Sequence, residues 1–257
     1  MALPPACAGF RFYGELNDHL PPGQRYRTVD CSFLVPASVK AMIEGMGVPH
    51  TEVELVLVNG ESADFSRLIQ NGDRVAVYPM FEALDITPML CVRAQALRKT
   101  KFVLDVHLGR LAAYLRMLGF DAAYTNDASD PELVRVSSEQ NRILLTRDRG
   151  VLKHSGVTHG YWVRETNSRR QAEEIVRRFD LARSLRPLTR CTACNQLLRQ
   201  ASKSEVCGRV PPKVLEWCEE FRECLGCRRV YWYGSHCRRM SRWIGQLAAA
   251  PGDPNRC

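Results

Sequence analysis

FVLDVHLGRLAAYLRMLGF, residues 102–120, decides the fold. Its first four residues read as a short buried strand ending in Asp105. Leu108, Leu111, Ala112, Leu115 and Leu118 then recur at helical spacing and make one apolar face. Gly109 and Arg110 open that helix, and Gly119 ends it as a C′ glycine can. Downstream the alternation continues. DAAYTND (121–127) is a second strand and loop, and SDPELVRVSSEQ (129–140) is a helix with Ser129 or Asp130 at its cap and Pro131 at its start. RILLTRD (142–148) is a third strand, again ending in an aspartate, Asp148. HGYWVRE (159–165) is a fourth strand, and SRRQAEEIVRRFDL (168–181) a final amphipathic helix. Strands alternating with helices predict a parallel α/β sheet with helices on both faces.

That order puts Asp105 and Asp148 at the C-terminal ends of two strands, where ligands of open α/β sheets gather. Asp130 enters from a helix N-terminus beside the same crevice. Three carboxylates brought together repel one another unless a cation neutralises them. Hard oxygen ligands with retained waters suit Mg²⁺ or Mn²⁺. Such an ion activates water and stabilises charge on a phosphodiester. Each acid also has a plainer reading: Asp130 as a helix cap, Asp148 as the opener of a turn. Asp105 is harder to dismiss, because a carboxylate ending an apolar strand is costly to bury unpaired. Arg110, Arg116, Arg147 and Arg149 lie near these acids, as phosphate contacts or as their salt-bridge partners. His107, His154 and His159 are acid–base candidates or plain structural histidines.

Cys191-Thr-Ala-Cys194 and Cys224-Leu-Gly-Cys227 are two C-x-x-C knuckles 29 residues apart. Two such pairs close a tetrahedral Zn²⁺ site with no open position, so the zinc they predict is structural. The gap exceeds the common ribbon spacing, which predicts a small insertion. Cys207, Cys218, His236 and Cys237 are spare candidates. RRVYWYGSHCRRMSRW (228–243) interleaves Arg228, Arg229, Arg238, Arg239 and Arg242 with Tyr231, Trp232, Tyr233 and Trp243. Aromatic faces can stack bases while arginines hold phosphates; alternatively the aromatics pack a ribbon core and the arginines are solvated.

The net charge of +8 is unevenly spread. Residues 1–85 carry six Lys/Arg against eleven Asp/Glu, and residues 86–257 carry thirty against seventeen. An acidic head on a basic body suggests separate modules, with a body that attracts a polyanion. Hydrophobic residues make up 45% and charged residues 25%, which argues against wholesale disorder. With no apolar run of membrane-spanning length and no signal-peptide pattern, the reading is a soluble, cytoplasmic protein. Eleven cysteines, four in C-x-x-C pairs, then point to metal rather than disulfides.

The head reads strand, strand, helix, strand, strand over residues 10–80. Ser38 caps a helix carrying Val39, Met42, Ile43 and Met46, which Gly45 and Gly47 end. VELVLVNG (53–60) closes on an Asn-Gly turn, and DRVAVYP (73–79) follows. This is the order of a β-grasp fold, and it resembles the ubiquitin-like sulfur carriers of thiamine and molybdopterin synthesis. Those end in Gly-Gly. Here YPMFEALDITPM (78–89) runs on into the next domain, so carrier chemistry is not expected and the head reads as a structural or partner-docking module.

FVLDVHLGRLAAYLRMLGF, SDPEL, NRILLTRDRG, RCTACN, FRECLGCRRVYWYGSH and the trailing RRM together resemble the PIN-like RNase domain of the Mut-seven C-terminal family over about residues 101–242. The resemblance implies a metal-dependent ribonuclease that hydrolyses RNA phosphodiesters, tRNA or other structured RNA included. Its metal-binding acids fall on Asp105, Asp130 and Asp148, with Asp127 a weaker fourth and Glu165 or Asn167 in the region of a further acid. The expected domains are a ubiquitin-like head (1–85), a linker (86–100), a PIN-like domain (101–186), a zinc ribbon (187–245) and a disordered tail (246–257). The rivals are a non-catalytic RNA-binding module, a protein-docking adaptor and, nearest among enzymes, a DNA nuclease.

Overall fold

The computed structural model describes residues 5–79 and 100–249, without the side chains of 235–239. The contacts within the chain divide it into two units. In the first, β1 (Ala6–Phe12), β2 (Thr28–Phe33), α1 (Val39–Gly45), β3 (Val53–Val58), β4 (Glu61–Ser62) and β5 (Arg74–Pro79) form the head. Its sheet runs β2-β1-β5-β3-β4. The central pair β1–β5 is parallel and its neighbours are antiparallel. That is the β-grasp order, and α1 buries Val39, Met42 and Ile43 in one core with Phe10, Phe12, Val56 and Val77.

Local chemistry sets the head's turns as the sequence indicates. Ser38 Oγ accepts from the Ala41 amide and caps α1, a contribution of about 1 kcal/mol. Asn59 and Gly60 both have positive φ, the geometry of the two-residue turn that an Asn-Gly pair favours in a hairpin, here joining β3 to β4. Between β1 and β2 the chain makes more than a simple turn. Residues Gly14–His19 wind into a 3-10 turn that buries Leu16, Asn17 and His19. Asn17 Nδ2 donates to the Phe12 and Gly14 carbonyls and so helps satisfy the backbone of the turn.

The second unit begins with β6 (Lys101–Leu104), followed by α2 (Gly109–Met117), β7 (Asp121–Ala123), α3 (Asp130–Glu139) and β8 (Ile143–Thr146). A short helix α4 (Arg149–Leu152) lies in residues 148–161, which group with the head in the first unit. β9 (Gly160–Trp162) and α5 (Ser168–Arg178) complete the alternation. The sheet order is β7-β6-β8-β9, and β6 runs parallel to both β7 and β8. Leu108, Leu111, Ala112, Leu115 and Leu118 are all buried, as their periodicity predicts. Phe102 meets Phe120 and Phe179 edge-on beneath the sheet's central strand. Gly119 has φ +100°, and a Cβ there would lie 2.2 Å from the Arg186 carbonyl oxygen, so the position admits only glycine.

The ribbon follows: β10 (Leu198–Ala201), α6 (Lys203–Val206), α7 (Pro212–Trp217), β11 (Phe221–Cys224) and β12 (Val230–Trp232), with all three strands antiparallel. The two short helices α6 and α7 are the insertion that the long gap predicts, and they pack Val206, Val210, Cys218 and Phe221 into a small core. The last helix, α8 (Ser235–Ala249), is where the expected boundaries differ from the structure. Trp243 is buried, donates to Glu173 of α5 and meets the Tyr114 ring of α2. By these contacts α8 packs on α2 and α5 of the parallel-sheet layer as well as bonding Tyr233 through Ser241, and residues 246–249 are helical instead of disordered. The linker, apart from Thr100, and residues 250–257 lie outside the described residues.

Candidate functional site

Asp105 follows β6 directly and is 6% exposed. The parallel register pairs Leu104 with Leu145, so the next step along both strands sets Asp105 beside Thr146. Thr146 Oγ1 donates to Asp105 Oδ2 at 2.6 Å, and the Asp105 amide donates to the Leu145 carbonyl. A buried carboxylate is thus held by a hydroxyl from the neighbouring strand, which offsets part of its desolvation cost. Thr146 was not among the residues singled out above. Its signal is a lone hydroxyl closing an otherwise apolar strand, ILLT, next to a strand that closes on an acid. Just beyond Asp105, Tyr124 Oη donates to the Val106 carbonyl, and its ring lies against Gly109, where a Cβ would come within 2.6 Å of Oη. Gly109 therefore opens α2 because the tyrosine needs the space.

Asp130 is the first residue of α3, after an N-cap at Ser129, and is exposed, as is Asp127. Asp148, also exposed, lies in the first unit, where its Oδ1 accepts from the Gly150 amide and caps α4. Asn167 caps α5 through the amides of Arg169 and Arg170, and Glu165 offers its backbone carbonyl to Arg147 and Gln171. Among the described residues, no three acidic ligand atoms gather within 4.8 Å of one another; the one group of that kind is formed by cysteines.

That group is Cys191, Cys194, Cys224 and Cys227. Cys191 Sγ lies 3.5 Å from Cys227 Sγ, and Cys194 Sγ 3.3 Å from Cys224 Sγ. A tetrahedral ion with bonds of about 2.3 Å sets sulfur atoms about 3.8 Å apart, so the donor set fits a metal such as zinc. Burial pushes the Cys191 thiol up, but the Tyr231 hydroxyl at 3.0 Å and the Cys194 and Ala193 amides bring it down to about 6. Burial and the other three thiols push Cys227 up to about 12. A cluster in which one thiol ionises readily and another resists is one that a divalent cation would complete, by displacing the remaining protons.

The first knuckle is fastened to the sheet by two polar residues. Arg116, on α2, is 4% exposed; its Nε donates to the Ala122 carbonyl, and its Nη1 to those of Thr192 and Ala193. Asp121, opening β7, accepts from Arg142 and Asn195 and pairs with Arg190. Asn195 Oδ1 in turn accepts from the Ala122 amide.

These contacts correct one of the expected RNA-binding residues. Arg116 is buried and bonded to backbone, so it cannot reach a phosphate. Tyr231 sets its hydroxyl 3.0 Å from the Cys191 sulfur and Trp232 packs in part against the ribbon core, and both are half-buried. Arg110, Arg149 and Arg229 are exposed. Arg147 holds the Arg164 and Glu165 carbonyls, and Arg228 pairs with the buried Glu223, which Arg199 and Arg209 also meet. Arg238 and Arg239, with the spare candidates His236 and Cys237, fall among the undescribed side chains. Of the other spares, Cys207 is exposed and Cys218 lies in the ribbon core.

No helix among the described residues is long and apolar enough to cross a membrane. No curated protein and no solved structure matches the chain. Residues 6–85 match the family described as Mut7-C ubiquitin, and residues 100–244 match the one described as Mut7-C RNAse domain. The latter match spans more than half of the sequence, over the sheet, the four-cysteine ribbon and most of α8, and the chain accordingly belongs to the Mut7-C RNAse domain family.

Proposed function

We propose that this protein is a metal-dependent ribonuclease, with Asp105, Asp130 and Asp148 as its acidic residues and a structural zinc in the ribbon. The observation that supports this most is Asp105: a carboxylate buried at the C-terminal end of a parallel strand and oriented by Thr146. Mg²⁺ keeps several waters and takes only one or two carboxylates, so a single fixed acid is enough to begin its site. Bound there, Mg²⁺ or Mn²⁺ supplies a more acidic water and charge stabilisation at the phosphodiester. The chain's own part is to fix Asp105 before substrate arrives, through the Thr146 hydroxyl and the Leu145 carbonyl. Its exposed Arg110, Arg149 and Arg229 are the contacts we assign to phosphate. RNA is the substrate class we assign, with tRNA or another structured RNA the form to try first.

The test compares wild type with Asp105→Asn, Asp130→Asn and Asp148→Asn on tRNA, single-stranded RNA and matched DNA, each with Mn²⁺, Mg²⁺ or EDTA. RNA cleavage that needs the divalent ion and is lost in the variants, all of them folded and zinc-loaded, is the expected result. Binding without cleavage would leave an RNA-binding module, preferential DNA cleavage a DNA nuclease, and equal cleavage by all four proteins would reject the assigned acids.

A further inference from the structure

The first unit joins to the ubiquitin-like head a segment distant from it in sequence, residues 148–161, and the junction is made of specific polar bonds. α4 is held at both ends. At its start Asp148 Oδ1 accepts from the Gly150 amide. At its finish the carbonyl of its last residue, Leu152, accepts from Thr51 Oγ1 of the head at 3.2 Å. Next along the chain, Lys153 Nζ donates to the Glu44 carbonyl at the end of α1 at 2.8 Å. Then His50 stands between two oxygens, with Nδ1 2.6 Å from the Glu44 carboxylate and Nε2 3.1 Å from the Val157 carbonyl. His50 and Thr51 are both buried, and Phe65 meets the His50 ring edge-on. Val151, Leu152 and Val157 are buried as well. A four-residue helix cannot stand alone, since nucleation alone outweighs what it gains. Its geometry must come from what holds its ends.

We propose that His50 and Thr51 of the head are positioning residues for the turn that carries Asp148, so that the ubiquitin-like head is a working part of the nuclease and not a separable tag. This rests on the reading of Asp148 as an acid of the reaction. The head does not touch substrate in this account. It acts through α4, by fixing the two carbonyls and the lysine that follow the acid.

Thr51→Val keeps the volume and removes the hydroxyl, Thr51→Ser restores it, and His50→Gln and Lys153→Met test the other two bonds. All are made in the full chain and checked for zinc content and melting temperature. Hydrogen exchange over residues 149–157 should quicken about fivefold in Thr51→Val, the change that one buried hydrogen bond makes in a local opening equilibrium, and should recover in Thr51→Ser. RNA cleavage should lose kcat with KM unchanged in Thr51→Val and regain it in Thr51→Ser. If exchange over 149–157 is unchanged in Thr51→Val, His50→Gln and Lys153→Met, the coupling is wrong. If exchange quickens while wild-type kcat is kept, the positioning role is wrong although the contact is real. If wild type cleaves nothing, the nuclease reading fails, and the coupling then stands or falls on exchange alone.

Discussion

Replacing Arg116 by Met separates two accounts of this residue most cleanly. In sequence it lies eleven residues after Asp105 among arginines suited to phosphate; in the structure it is buried and bonded to Ala122, Thr192 and Ala193. Methionine keeps most of the apolar stem and helix propensity, so the loss is confined to the guanidinium. Hydrogen bonds to a charged donor contribute about 1.5–3 kcal/mol each, but the three carbonyls here can be partly rehydrated. A net loss of about 3 kcal/mol is a fair estimate, which for a domain of this size lowers the melting temperature by roughly 6–12 °C. Burial holds the Arg116 guanidinium below its ordinary pKa, and the neighbouring Cys191 and Cys194 sulfurs pull it part of the way back. Removing it should weaken zinc binding by roughly tenfold, the range seen for outer-shell partners. Arg116→Lys should recover little, because an ammonium cannot present the planar fork. The assays are thermal unfolding and zinc transfer to a chromophoric chelator. A variant with unchanged melting temperature and zinc retention, but weaker RNA binding, would refute the structural account and restore the phosphate role.

Three further outcomes follow from the same packing. Gly119→Ala should destabilise by about 3 kcal/mol or more, because it places a Cβ against the Arg186 carbonyl at positive φ; a chemical-denaturation loss under about 1 kcal/mol would contradict the clash. Cys191→Ser should drop zinc content from one per chain to none and expose residues 190–232 to limited proteolysis; full metal occupancy would remove Cys191 from the ligand set. Burial raises the Asp121 carboxyl, but hydrogen bonds from Arg142 and Asn195 and the charges of Arg142 and Arg190 hold it below its ordinary value. A depressed folded pKa gives stability that is full above the unfolded value near 4 and is lost as pH falls through the folded one, so Asp121→Asn should be less stable than wild type at pH 6 and the gap should begin to narrow only as pH falls below about 4, as denaturation at stepped pH will show.

Much of the fold was legible because its signals are local. The five buried apolar positions on α2 and its two caps follow from helical spacing alone, and the Ser38 cap, the Asn59-Gly60 turn and the positive φ of the glycine after α2 each depend on a few neighbouring residues. The two knuckles were legible for a related reason: a C-x-x-C pair fixes its own local geometry, and only the joining of two pairs is long-range. What could not be read is where polar side chains go once distant segments meet. Arg116 follows Leu115 and lies four residues after Ala112, both buried, which hints that it turns inward, but two of its three partners lie 76 and 77 residues away. Trp243 likewise meets α2 and α5 from the far end of the sequence. Tyr231 and Trp232 have the composition of a base-stacking strand, and composition does not show that one hydroxyl meets a knuckle thiol and the other ring packs in part on a small core.

The three acids differ physically, and the difference bears on how a site built from them would work. Asp105 is buried, so its desolvation is met when the chain folds and its orientation is fixed by Thr146 before any ion arrives. Asp130 and Asp148 are exposed, so each keeps much of its hydration until something binds. Capping does not remove Asp148 from that role. A carboxylate has about four acceptor sites, so an amide on Oδ1 can fix the rotamer without excluding a metal from the group. The plain reading of Asp148 as a helix cap and the reading of it as a metal-site acid are therefore compatible, and the cap supplies the rigidity that the acid needs. What the cap cannot supply is the position of α4 itself, and that comes from Thr51, Lys153 and His50, all residues that no metal-site pattern in the sequence would single out.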